Sequence, residues 1–292
     1  VLLLASIGAG GWWYLGERKA QQFAALFDEV EALKQKVAHE ENQYSLWQQD
    51  QHKNLTGLED KLKASTTPQE QERLRREVAL ARADEAQLGT EELIAAELVF
   101  NHADEDRLSA LEDNRKKFGN ELGFDTATRE LTEIRGNYHK ALKLLAALEK
   151  LRNERHLALA ARLEWERERI VAQQPPIPGE TTLTQIADRA HQLLEDAKLD
   201  EAVKAFGEVG REYTKLLKSA QYAWRARNEA EEARTAWQGL NGANRQAATA
   251  PEAQMREGLQ ALNNGQWSTA TGAFIVAREQ FATLSMQAAG HG

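Results

Sequence analysis

Residues Asp125–Glu154 read DTATRELTEIRGNYHKALKLLAALEKLRNE, and residues Asp200–Glu229 read DEAVKAFGEVGREYTKLLKSAQYAWRARNE. At a constant offset of 75 residues the two stretches share Asp125/Asp200, Ala127/Ala202, Glu133/Glu208, Tyr138/Tyr213, Lys140/Lys215, Leu142/Leu217 and Lys143/Lys218. Both close on Arg-Asn-Glu, at 152–154 and 227–229. A shorter third copy lies 68 residues beyond the second, with Ala270, Phe274 and Phe281 in the places of Ala202, Phe206 and Tyr213. A repeat of helical segments at this spacing points to a surface assembled from stacked helical units.

The remainder of the chain supports a helical reading. Of 292 residues 42% are apolar and 28% charged, and the mean hydropathy is −0.62, a balance that suits long solvated helices better than a thick globule. All five prolines (Pro68, Pro175, Pro176, Pro178 and Pro251) fall between periodic segments. A proline inside a helix costs roughly 3 kcal/mol, so this confinement predicts an all-α fold. The net charge of −8 repels phosphate backbones and argues against nucleic acid as a partner. The basic run Arg73-Leu74-Arg75-Arg76 is read as a solvated helix face. With no cysteine there is no disulfide framework and no thiolate nucleophile or metal ligand.

Val1–Gly16, VLLLASIGAGGWWYLG, carries no charge until Glu17-Arg18-Lys19 ends the run. Sixteen residues make a helix of about 24 Å, short of the roughly 20 residues that cross a bilayer. The chain does not begin with methionine, and the apolar run is expected to continue upstream. Trp12, Trp13 and Tyr14 would then sit at the headgroup level, where amphipathic rings are favoured. Small residues four apart, Ala5/Ala9 and Ser6/Gly10, would permit close helix packing in lipid. The expectation is a single-pass cell-membrane anchor over 1–16. The side of the membrane that carries the body stays open, because only one flank is present.

Residues 17–64 are expected to form a coiled-coil or bundle stalk. From Phe23 to Leu58 the apolar residues Phe23, Leu26, Val30, Leu33, Val37, Tyr44, Trp47 and Leu58 follow heptad steps, interrupted by Glu40, Gln51 and Asn54. Residues 65–105 are assigned to a helical hairpin. Thr67-Pro68-Gln69-Glu70 opens its first helix, Gly89 ends it, and a second helix occupies 91–99. Repeat 1 with a long arm is assigned to 106–174, repeat 2 with a long arm to 180–240, and a shortened repeat 3 to 249–290. The long second helices are placed at 126–172 and 200–238, after turns near Gly123-Phe124 and Lys198-Leu199; the third turn is Gly265-Gln266-Trp267. Residues 173–179 and 241–250 read as linkers, each followed by a capping box, Thr182-x-x-Gln185 and Thr249-x-x-Glu252.

Within the last copy Gly258, Gly265, Ala270, Phe274 and Ala277 resemble the small-and-aromatic spacing of tetratricopeptide units. Copy two keeps Ala190, Ala202 and Phe206; copy one keeps Ala127, with Leu131 in the aromatic slot. That family repeats every 34 residues, whereas these copies lie 67–75 apart, so the resemblance implies hairpins of that type with lengthened second helices. It covers about a third of the chain. Ala127, Tyr138, Ala202, Phe206, Tyr213, Ala270, Phe274 and Phe281 are expected to be the packing residues of the repeat.

No catalytic, cofactor or metal motif emerges. The seven histidines form no H-E-x-x-H pair. His102 with Asp104, Glu105 and Asp106 is the densest ligand-like cluster, and it reads equally as an acidic helix start. Trp165 and Trp237, in Ala161-Arg162-x-x-Trp165 and Ala233-Arg234-x-x-Trp237, lie near the distal ends of the long helices. With Arg162 and Arg234 they are candidates for a partner interface, the other role being packing between the arms. The function expected is a non-enzymatic, homo-oligomeric membrane scaffold that docks protein partners. The second reading is a transmembrane relay: the layout also resembles bacterial single-pass proteins that join a cytosolic signalling domain to an extracytoplasmic recognition domain, such as a sulfatase-modifying-factor-like fold.

Overall fold

A computed structural model describes residues 2–86, 100–114, 121–196, 198–240 and 247–290, and among these the chain is all-α. The helices are α1 Leu2–Ala64, α2 Pro68–Ala86, α3 Phe100–Asn114, α4 Glu121–Val171, α5 Pro178–Glu195, α6 Leu199–Gln238, α7 Thr249–Asn263 and α8 Trp267–Gly290. They divide into two compact units, Val1–Arg152 and Asn153–Gly292, with the division inside α4.

In the first unit the heptad residues of α1 are covered by this chain itself. Phe23, Phe27, Val30 and Val37 form one buried cluster with Leu108 and Leu111 of α3 and with Ala127, Leu131, Ile134, Tyr138 and Ala141 of α4. Each such side chain contributes on the order of 1.5–3 kcal/mol when fully buried. The interrupting polar residues separate this cluster from a second one, where Leu55 meets Val78 and Ala81 of α2. Of the two forms open to the stalk, the structure shows the bundle. The buried Asp104 carboxylate accepts hydrogen bonds from Arg107 (3.0 Å) and Asn137 (2.8 Å). Arg107 also reaches Glu130 and Glu133 of α4, each at 3.2 Å. The acidic cluster around position 104 thus ties α3 to α4.

In the second unit α5 and α6 form an antiparallel hairpin, in which His191 meets the ring of Phe206 edge-on at 5.1 Å. A second hairpin joins α7 to α8, and a Cβ added at Gly258 would lie 2.7 Å from the Phe274 ring. The second helices of these hairpins run parallel to the distal part of α4. Trp165 stacks on Trp224 (5.8 Å) and Arg227 donates to the Ala172 carbonyl (3.2 Å). Further on, Arg278 of α8 pairs with Glu229 of α6 (2.6 Å) and Phe281 meets Trp237 (5.7 Å).

Three boundaries differ from the sequence reading. α4 begins at Glu121, so Gly123-Phe124 is inside a helix rather than a turn, and Phe124 packs on Phe23 at 5.9 Å. α5 begins at Pro178, four residues before Thr182, with proline at the first helical position and the Glu180 carboxylate accepting the Ile177 N–H (3.0 Å). Ile177 has no side-chain acceptor, so only this half of a capping box is made. Thr249 is the first residue of α7, not its cap, and the Glu252 carboxylate is held by Arg234 at 2.6 Å. Gly89 and the expected helix at 91–99 lie outside the described residues.

Among the described residues no helix is long and apolar enough to cross a membrane. The expected anchor helix is therefore not found: α1 continues unbroken through Glu17, Arg18 and Lys19. The side chains of Trp12, Trp13 and Tyr14 lie outside what the structure describes.

Two helix stops share one hydrogen-bond pattern. After α4, the Gln173 N–H donates to the Ile170 carbonyl (3.0 Å) and the Gln174 N–H to that of Arg169 (2.9 Å); after α7, Gly265 and Gln266 donate to Leu262 (3.0 Å) and Ala261 (2.9 Å). The pivotal residue is left-handed in both, Gln173 at φ 53° and Gly265 at φ 72°. Glycine adopts this conformation freely, while other residues incur about 1–2 kcal/mol. Chemical denaturation should therefore show Gly265→Ala destabilised by about 1 kcal/mol and Gln173→Gly stabilised by about 0.5–1 kcal/mol. Equal and unchanged midpoints would contradict these stops.

Candidate partner-docking groove

Glycine inside a helix costs about 1 kcal/mol relative to alanine, yet α6 carries Gly207 and Gly210 in its first half. The neighbouring helix explains Gly210, while at Gly207 only flexible side-chain ends stand close. A Cβ at Gly210 would sit 3.3 Å from Ala158 Cα and 3.4 Å from its backbone nitrogen; one at Gly207 would sit 2.9 Å from the Glu154 carboxylate. The two backbones thus approach closely, and the missing side chains leave an open groove of about 550 Å³ between α4 and α6. Leu157, 60% exposed, stands on its α4 wall; Arg211, Lys215 and Lys218 stand on its α6 wall.

Farther along the same helix pair, Trp165, Trp224 and Trp267 form a three-ring cluster. Trp267 meets the other two rings edge-on at 6.0 and 6.5 Å. Among the described residues the buried indole N–H groups of Trp165 and Trp224 find no acceptor, so ring packing rather than hydrogen bonding holds the cluster.

The structure places both distal tryptophans inside the second unit. Trp165 is fully buried and Trp237 is 4% exposed; both pack between helices of this chain and offer no surface to a partner. Arg162 pairs with Glu166 one turn on (2.9 Å), and Arg234 ties α6 to α7 through Glu252 (2.6 Å). Ala127, Tyr138, Ala202, Phe206, Tyr213, Ala270, Phe274 and Phe281 are all buried. The groove itself escaped the sequence reading. Its signal was present as two glycines three apart in a long helical pattern, a feature that calls for close backbone approach.

Chemistry is sparse. Among the described residues no group of three or more histidine or carboxylate side chains comes together as a metal site. Burial, with the Asp104 and Glu105 charges nearby, pushes the Tyr138 hydroxyl well above its ordinary range, and burial raises that of Tyr213. Burial, aided by the Arg155 charge, lowers the pKa of His191. Compared with known proteins, the chain matches no family model, and no curated protein or solved structure gives a significant match.

His191 has a folded pKa below its unfolded value of 6.5, so below that pH the unfolded chain takes up the proton more readily. Stability should fall as pH drops from 7.5 through 6.5, and the fall should be smaller in His191→Phe; identical pH profiles of the denaturation midpoint would refute this. Trp165→Ala should cost about 3–5 kcal/mol, read from the same midpoint at pH 7.5. A loss under about 1 kcal/mol would return Trp165 to the surface.

Proposed function

We propose that this chain is a non-enzymatic, membrane-anchored docking protein that binds partner proteins through the second unit. The observation that supports it is the open groove between α4 and α6, with a glycine floor and an exposed leucine on its wall. Grooves between packed helices receive an amphipathic helix by its apolar anchors. The α5–α6 and α7–α8 hairpins are read as tetratricopeptide-like units with lengthened second helices. In that reading Ala202 and Ala270 permit close approach, and Phe206 and Phe274 fill the space between the helices. All four are buried.

The uncharged start of the chain supplies the anchor in this proposal, with Trp12, Trp13 and Tyr14 at the headgroup level. Self-association is proposed to run through the small residues Ala5/Ala9 and Ser6/Gly10, because the apolar face of α1 is occupied by α3 and α4.

Chemical crosslinking of the chain in isolated membranes tests the whole reading. The expected result is retention in the membrane fraction through an alkaline wash, a crosslinked homo-oligomer, and a further protein crosslinked to residues of the second unit. A washed-off monomer without crosslinks would overturn it.

A further inference from the structure

We infer that the α4–α6 groove takes an acidic amphipathic helix of a partner protein, an inference that rests on the docking reading above. The first reason is charge placement. Arg211, Lys215 and Lys218 stand four and three residues apart, so they line one face of α6 along the groove. Glu154 is the single carboxylate on the groove lining. Lys215 is loosely engaged by Glu212 (3.7 Å); among the described residues Arg211 and Lys218 have no ion-pair partner. A chain with net charge −8 thus keeps three cations beside its groove against one carboxylate, Glu154, which lies near Arg211 above Gly207. Such a row attracts an acidic partner and discourages a basic one.

The second reason is shape. α4 and α6 run parallel here, and a third helix can lie between two parallel helices with its apolar stripe inward. At the floor, Gly210 faces the Ala158 backbone, while the ends of the Glu154 and Arg211 side chains lie over Gly207 and must move aside for an incoming residue. The Thr214 and Ser219 hydroxyls are turned back onto the carbonyls of Gly210 (2.8 Å) and Lys215 (2.9 Å), so they are already bonded within α6. Leu157 supplies an apolar contact at the wall. The complementary partner carries an apolar residue for Leu157 and the glycine floor, flanked by Glu or Asp at three- and four-residue steps.

The partner differs from other polyanions in needing both features. Duplex DNA would meet the three cations but offers no apolar stripe for Leu157 and the groove floor.

A random peptide library displayed on phage and panned against the full chain tests this. The expected outcome is enrichment of peptides with net negative charge, glutamate or aspartate at three- and four-residue steps, and an apolar residue among them. Binding should weaken at least about tenfold in the triple variant Arg211→Gln, Lys215→Gln, Lys218→Gln, and added salt should weaken wild-type binding and narrow that difference. The three substituted side chains are exposed, and circular dichroism melts of the variant verify its fold. Should that variant melt early, Lys218→Gln alone is read the same way with a smaller loss. Enriched peptides that are neutral or basic, or that bind the variant equally well, would overturn the acidic partner and leave the docking reading standing. Failure of any peptide to enrich would overturn both. Binding of phosphatidylserine vesicles or duplex DNA, lost in the variant and without peptide enrichment, would assign the cations to a different polyanion and likewise overturn the inference.

Discussion

Ala158 and Gly210 bring two long helices to within backbone contact, and much of the second unit depends on that approach. A Cβ at position 210 would lie 3.3 Å from Ala158 Cα, tighter than ordinary van der Waals contact, so a residue without a side chain suits the crossing best. From this point α4 and α6 continue side by side in the same direction. Trp165 and Trp224 stack where the two helices have more room between them. Trp267, at the start of α8, closes the cluster from the adjoining hairpin. The loop that ends α4 then returns to the other hairpin: the Gln174 side chain donates to the Leu262 carbonyl (3.2 Å), and Ile177 packs against the Gly265 turn.

The first unit is organised by a different balance. Its core is a row of apolar side chains on α1 that meets α3 and α4, and its edge is charged. Lys19 pairs with Asp125 (3.0 Å) and Arg135 with Glu29 (3.2 Å). Exposed pairs of this kind contribute little individually, typically under 1 kcal/mol. They favour one register of α1 against α4, while burial supplies the stability. Arg152 lies over both Tyr44 (4.9 Å) and Trp47 (4.1 Å), a cation–π contact that gives the aromatic pair in the middle of α1 a partner on α4.

Helix identity was legible because proline placement and apolar periodicity act locally. The long arms expected at 126–172 and 200–238 differ little from Glu121–Val171 and Leu199–Gln238. Caps were less legible. Thr182 and Thr249 carry the side chains that usually cap a helix, but Pro178 nucleates α5 a turn earlier and Arg234 takes the Glu252 carboxylate. The distal tryptophans were ambiguous for a physical reason: one helix alone does not reveal that a neighbour covers its far end. The groove was illegible as a surface, since it depends on Leu157 of α4 and on Arg211 and Lys218 of α6 meeting across more than fifty positions of chain. The glycine floor, by contrast, was visible in the sequence as two glycines three apart in a long helical pattern.

The functional account follows from the same crossing, because the residues that let α4 and α6 touch also leave the groove open. Denaturation of the full chain carrying Gly210→Leu, followed by tryptophan fluorescence, tests that claim most directly. The account predicts a loss of about 1–3 kcal/mol from overpacking, together with altered emission from the Trp165–Trp224–Trp267 cluster. An unchanged midpoint with unchanged emission would contradict the close α4–α6 approach and the groove built on it.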